Sequence, residues 1–353
     1  MNIAFFQNTF CTRALKQAIA LRPHVDRLIG ITSHKKKVRS FHKGFSGSIF
    51  DQEYSGISST EDFQHIIQKE NPDIVHCHNF PDSQAKLALD SRDSSKYRVI
   101  HDIHDHGTYQ YQNLTPEQSE VERFVESNAD GLIFVSNLSK KVLTKDRSLS
   151  DQSIVIHSKP NKQFIPDVDS IKKKKIFTLV YQGGTHSAPG HHRNYMHVFQ
   201  DITAAGQRID IYSSTLHNLF KKPQRIIYKD YKNISPLLNM HKAVRLEKLY
   251  QKLSQFHGGV SILSGENTPY QQLTIPNKIF EYAVCGLPSI VDSKFEAIRD
   301  YVIQENMGII VDDWSTFSPD SILDMQNDII KRQDEFCMES EIGTLVSFYR
   351  SMI

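Results

Sequence analysis

The chain has 353 residues, 39% of them hydrophobic and 23% charged, with a net charge of +2. That length accommodates two domains, each with its own core, and the near-neutral balance argues against a nucleic-acid binder. Cys11, Cys77, Cys285 and Cys337 stand far apart and form no C-x-x-C pair, which argues against a disulfide frame or zinc knuckle and predicts reduced thiols.

Strand and helix signals alternate from the start, the pattern of parallel α/β sheets. The predicted elements of the first half are the strand Ile3–Phe6, the helix Thr12–Leu21 and the strand Arg27–Thr32. A long loop over 33–57 follows, then the helix Glu61–Glu70, the strand Ile74–His78, the helix Ser83–Asp90 and the strand Tyr97–Ile103. The helix Pro116–Asn128 and the strands Gly131–Ser136 and Ser153–His157 complete it. Pro160–Lys175, with two prolines and four consecutive lysines, reads as an interdomain linker. The second half predicts strands at Ile176–Gly184, Ile209–Tyr212, Arg225–Tyr228, Gly259–Leu263, Pro288–Val291 and Gly308–Val311. Its helices fall at 193–205, 244–255, 276–285 and 319–333, and the tail from Asp334 is helical. The fold class is therefore α/β, with two doubly wound Rossmann-like domains. We expect domain one over 1–162, domain two over 163–334, and a C-terminal helix of about 335–353 that packs back on domain one. Ligands of such sheets bind beyond the carboxyl ends of the strands, which predicts a cleft site.

The densest signal is Pro276-Asn-Lys-Ile-Phe-Glu-Tyr-Ala-Val-Cys-Gly-Leu-Pro288. Pro276 suits a helix start, Gly286 can close the helix in the left-handed conformation, and Pro288 stops it from resuming. The free N–H groups at such a start suit a phosphate, and Lys278 adds a full charge. Glu281, one turn on, can accept from two neighbouring ribose hydroxyls. An ordinary amphipathic helix would account for Phe280 and Ala283 but not for Lys278 and Glu281 beside that start and stop.

This stretch resembles the donor-site signature of GT-B glycosyltransferases of the retaining family-4 type. The resemblance covers most of the chain and is densest from Gly258 to Asp312. It implies transfer of a sugar from a nucleotide-diphosphate donor, a UDP-sugar by default, to a hydroxyl on a glycan or lipid-linked acceptor. It further implies retention of configuration, no metal or other cofactor, and a bacterial-type surface glycan as product. The expected donor-binding residues are Gly183, Gly184, Arg193, Thr274, Asn277, Lys278 and Glu281. His104, Lys278 and Arg193 are the expected catalytic residues: His104 faces the sugar, and the other two neutralise the leaving diphosphate. Asn8, Thr9 and Asp105 are expected on the acceptor side. Many family members carry a second acid eight residues before the ribose acid; here that position is Leu273. The Gly-rich loop after the first strand is replaced by Asn8-Thr9-Phe10. Asp167-Val-Asp169 resembles the metal triplet of another glycosyltransferase fold but lies in the linker.

Three other readings stay open. A nucleotide-sugar epimerase shares the two-domain design, and a non-catalytic partner subunit could keep the fold. A metallo-hydrolase could use His101, His104 and His106, with His76-x-His78 as a second histidine pair. No apolar stretch reaches transmembrane length, and Ile3–Phe6 is too short for a signal peptide, so a cytoplasmic protein is expected. It could touch the inner face of a membrane through Lys35, Lys36, Lys37 and Arg39, which share a loop with Phe41, Phe45 and Phe50.

Overall fold

The computed structural model describes residues 1–35, 49–92, 97–110, 114–146, 149, 152–262 and 269–353. The chain divides into unit 1, Met1–Asn161 with Met338–Ile353, and unit 2, Lys162–Cys337.

Unit 1 is built on seven parallel strands, β1 (Asn2–Gln7), β2 (Arg27–Thr32), β3 (Gln52–Ser55), β4 (Ile74–His78), β5 (Arg98–Ile103), β6 (Gly131–Phe134) and β7 (Ser153–Val155). They lie in the order β3-β2-β1-β4-β5-β6-β7. The helices are α1 (Thr12–Leu21), α2 (Thr60–Glu70), α3 (Ser83–Asp90), α4 (Gly107–Gln110), α5 (Pro116–Asn128) and α6 (Asn137–Asp146). Local chemistry sets several starts. Ser59 caps α2. Thr115 and Gln118 form a reciprocal capping box on α5, with Pro116 in its first turn. Strand alternation then divides the core. Ile3 and Phe5 enter one cluster with Leu15 and Ala18 of α1. Ala4 and Phe6 enter the other, with Phe63 of α2 and Ala85 of α3.

Unit 2 has six parallel strands, β8 (Leu179–Gly183), β9 (Ile209–Ser213), β10 (Leu238–His241), β11 (Gly258–Val260), β12 (Ser289–Val291) and β13 (Gly308–Ile310). Their order is β10-β9-β8-β11-β12-β13. The helices are α7 (Met196–Ala204), α8 (Lys222–Lys232), α9 (Leu246–Leu253), α10 (Pro269–Leu273), α11 (Asn277–Ala283), α12 (Glu296–Gln304) and α13 (Asp320–Lys331). The chain then returns to unit 1 through α14 (Ile342–Met352), whose Leu345, Val346, Phe348 and Tyr349 complete the cluster around Phe5. Glu341 fixes this return: it accepts from the His157 backbone N–H at 2.6 Å and pairs with Lys159 Nζ at 2.8 Å. Despite burial, His157 and Lys159 hold the Glu341 carboxyl down at about 2.

The two parallel sheets are those the alternating pattern predicts, and four local expectations are corrected. Arg225–Tyr228 lies inside α8; its apolar residues are paced for a helix, with Ile227 and Tyr231 buried, and the strand comes later, at β10. The stretch 33–57 contains β3, a polar edge strand paired with β2 and lacking the alternation that marks a half-buried strand. α6 and α12 form where no helix is predicted. Phe50 is 2% exposed and stacks on Phe10 at 4.7 Å, so it serves the core and not the surface.

Candidate functional site

In unit 2 the site grows from the carboxyl end of β8, a central strand, and from the buried helix α11. Ile279, Phe280, Tyr282 and Ala283 anchor α11 in the core, and Gly286 closes the segment at φ +68°. Tyr282 ties the two elements together. Its hydroxyl accepts from the Gln182 backbone N–H at 3.0 Å and donates to the Val260 carbonyl at 3.1 Å. Gln182 in turn donates from Nε2 to the Glu281 carboxylate. Glu281 is only 7% exposed, so its carboxylate is held by neighbours and not by solvent.

Lys278 lies on the same helix, half-buried, with Nζ 4.4 Å from the centre of the Tyr181 ring and 5.8 Å from that of Tyr195. Burial pushes its pKa down to about 8; Glu281 opposes that shift and Arg193 adds to it. Arg193 is exposed, and its guanidinium lies over Gly184. A Cβ on Gly184 would stand 2.8 Å from Arg193 Nη1, so only glycine lets the arginine approach the strand end this closely. The loop carrying Arg193 is pinned at its base. His186 N–H donates to the Arg193 carbonyl at 2.8 Å, and Tyr231 Oη donates to the His186 carbonyl at 2.9 Å. Gly183 sits at φ +147°, and its carbonyl accepts from Ser214 N–H at 2.9 Å. Thr274 follows α10 and Asn277 opens α11, both half-buried. Leu273 is 8% exposed and packs inward. The expected donor residues Gly183, Gly184, Arg193, Lys278 and Glu281 therefore share one neighbourhood. Of the loop 264–274, residues 264–268 lie outside the described residues. Gln182, Tyr181 and Tyr282 were missed as site residues. Tyr282 stood in the sequence signature with no role, and the support from Gln182 and Tyr181 depends on pairings remote in sequence.

In unit 1, His104 lies just past β5, beside Cys11 and Asp102. His104 Nδ1 is 3.5 Å from Asp102 Oδ1, and Nε2 is 3.7 Å from Cys11 Sγ. Asn79 fixes the turn beneath it: its Oδ1 accepts from the backbone N–H groups of His104 and Asp105 at 2.9 and 3.1 Å. Burial disfavours a charged His104, but Cys11 and Asp102 overcome it and raise the pKa to about 10. Asp102 is wholly buried, and burial alone would raise its carboxyl. Arg13, whose Nε reaches both oxygens at 2.9 and 3.0 Å, holds it well below the carboxylate range. Asp105 Oδ2 is 3.8 Å from His104 Nε2. Asn8 accepts from Ser33 Oγ at 2.9 Å, and Asn8 and Thr9 directly follow β1, with Phe10 between them and Cys11.

His101, His104 and His106 do not converge on a metal centre. Each has its own acid: Asp82 lies 3.1 Å from His101, Asp102 lies by His104, and Glu126 lies 2.8 Å from His106. Within β5, His101 points to the face opposite Asp102, the acid beside His104. Two other groups have ligand atoms within 4.8 Å of one another, His76 with His78 and Asp102, and His106 with Glu122 and Glu126. In the first, Arg13 already neutralises Asp102, which disfavours a cation. Lys36, Lys37 and Arg39 lie outside the described residues; Lys35 is exposed.

Two parallel Rossmann-like sheets of seven and six strands, one in each unit, are those of the GT-B fold. Residues 20–158, less than half of the chain, match the model of Glycosyltransferase Family 4. The fold is similar to that of a sucrose-phosphate synthase from Thermosynechococcus elongatus, with TM-score 0.68, 14% identity, and 100% of this chain and 99% of the other covered. A glycosyltransferase from Rickettsia africae ESF-5 matches with TM-score 0.71 and 10% identity over 99% and 98% of the two chains. Anabaena HepE, solved with UDP-glucose, matches with TM-score 0.61 and 10% identity over 100% and 98%. No curated protein matches the sequence. No helix among the described residues is long and apolar enough to cross a membrane.

Proposed function

We propose that unit 2 binds a nucleotide-diphosphate sugar, with UDP as the favoured carrier, and that unit 1 is the acceptor side. The observation that carries this reading is the grouping of Glu281, Lys278, Arg193 and the Gly183–Gly184 turn at the end of β8. Glu281 accepts from the ribose hydroxyls. Lys278 and Arg193 offer preorganised charge to the diphosphate as the anomeric bond breaks, without a metal. Thr274 and Asn277 complete the donor side. Protonated His104 faces the sugar and steadies developing negative charge on the leaving group, while Asn8, Thr9 and Asp105 meet the acceptor. The acceptor is a glycan or lipid-linked hydroxyl, the transferred group is a hexose or N-acetylhexosamine, and the anomeric configuration is retained. The setting is cytoplasmic synthesis of a surface polysaccharide or glycoconjugate, with Lys35, Lys36, Lys37 and Arg39 as a membrane contact.

The test is turnover of UDP-sugars in EDTA, followed by NMR of the products with wild type and Glu281→Gln. The reading predicts transfer or slow hydrolysis with the anomeric configuration kept in wild type and a large loss in the variant. Isomerisation of the nucleotide sugar without transfer would support an epimerase instead, and activity restored only by added metal would overturn the metal-free mechanism.

A further inference from the structure

The outward face of α8 carries a charge pattern that donor binding does not use. Ile227 and Tyr231 are buried, while Lys222, Arg225, Ile226, Lys229 and Lys232 are exposed. Their spacing of three to four residues sets these five on one stripe of the helix. Between Lys221 and Lys232 stand five cations and one acid, Asp230, in a chain whose total charge is only +2.

Two features show that this stripe is not tuned for the helix itself. Lys221 and Lys222 stand at the helix start, where the positive end of the dipole repels cations and an acid would be favoured. Phe220, immediately before them, is 96% exposed, and Ile226 within the stripe is 45% exposed. The turn bearing Phe220 is fixed: Asn218 Oδ1 accepts from the Phe220 N–H at 2.9 Å, and Gln224 Oε1 accepts from the Asn218 N–H at 2.6 Å. An aromatic ring is thus held in solvent beside a row of cations. A local cost of this kind marks a surface whose partner lies outside the chain.

We propose that the Phe220–Lys232 face docks on an anionic phospholipid bilayer. The cations match the headgroup phosphates, and Phe220 and Ile226 enter the boundary between headgroups and acyl chains. A nucleic acid would satisfy the cations but leave these two apolar groups in water, which favours the bilayer. This inference does not depend on the donor assignment, because it rests on other residues and is read without turnover.

The test is co-sedimentation with vesicles of phosphatidylcholine alone and of phosphatidylcholine mixed with phosphatidylglycerol. The proposal expects partition only to the mixed vesicles, weakening as salt rises. Replacing Lys221, Lys222 and Arg225 together by Ser should reduce the partition coefficient roughly tenfold or more, since each cation near such a surface contributes about fivefold. Phe220→Ser should weaken binding while leaving its salt dependence intact. Lys248→Ser with Lys252→Ser, exposed cations of α9, should change little. Unchanged thermal melting and nucleotide binding establish that each variant is folded. Failure to partition, equal loss from the α9 pair, or loss only on replacing Lys35, Lys36, Lys37 and Arg39 would each overturn the proposal. Binding to RNA without binding to vesicles would do the same and assign the face to nucleic acid.

Discussion

Glu281 makes its bond to Gln182 inside a nearly closed environment, so its charge is strongly felt by a partner that brings hydroxyls to it. Hydrogen bonds to a charged group contribute about 1.5–3 kcal/mol each. Glu281→Ala is therefore expected to weaken nucleotide binding at least about 100-fold. Gln182→Ala, which removes only the positioning contact, should cost less, roughly tenfold. Lys278 gives a pH test. Its pKa is pushed down to about 8, so the free protein loses this charge as pH rises through that value. Nucleoside diphosphate affinity should fall above about pH 8, and Lys278→Arg, with a guanidinium that stays charged, should flatten the titration. Gly184→Ala should raise the donor KM with little loss of stability, because the added methyl meets the mobile Arg193 side chain and not backbone. At this scale the sequence was legible at Gly286, read as a left-handed helix stop and found at φ +68°. It was silent on Gln182, whose role appears only when β8 and α11 pack together.

Among elements, α11 shows how a short segment is kept helical without a side-chain cap at its start. Its burial supports it, and Gly286 ends it. Gly286→Ala would hold a Cβ at φ +68° and 2.7 Å from Ile330 Cγ1. That combination is expected to cost about 1–3 kcal/mol, measurable by chemical denaturation. α8 shows the reverse case for sequence reading. Four residues, Arg-Ile-Ile-Tyr, carry strong strand propensity, and over so short a window periods of two and 3.6 are hard to separate. Pro223 in the first turn and the pair Ile227 and Tyr231 carry the helical signal. β3 escaped notice for a different reason: an exposed edge strand with the sequence Gln-Glu-Tyr-Ser is formed by pairing with β2, not by local preference.

For the whole molecule, the parallel sheets were legible because strands buried on both faces read as apolar runs. The buried polar system of unit 1 was less legible. His-Asp-Ile-His-Asp-His announced reactive side chains, but not that Arg13 on α1 would neutralise Asp102. This system predicts a pH effect on stability. The His104 pKa rises from an unfolded value near 6.5 to about 10 when folded. Its contribution is therefore fully present below about pH 6.5 and is lost as pH rises through about 10. Thermal melting across that window should decline in wild type and decline less in His104→Asn. The C-terminal return is a second test at this scale. Truncation before Met338 removes α14 from the core of unit 1 and should abolish its cooperative melting.

The measurement that bears most directly on the central claim is calorimetric titration of UDP, GDP, ADP and CMP into wild type and Glu281→Ala, in EDTA. The account predicts that one nucleoside diphosphate, UDP first, binds to wild type and that the variant loses it. Equal binding by both proteins, or no binding of any nucleotide to wild type, would contradict the donor site built on Glu281 and Lys278.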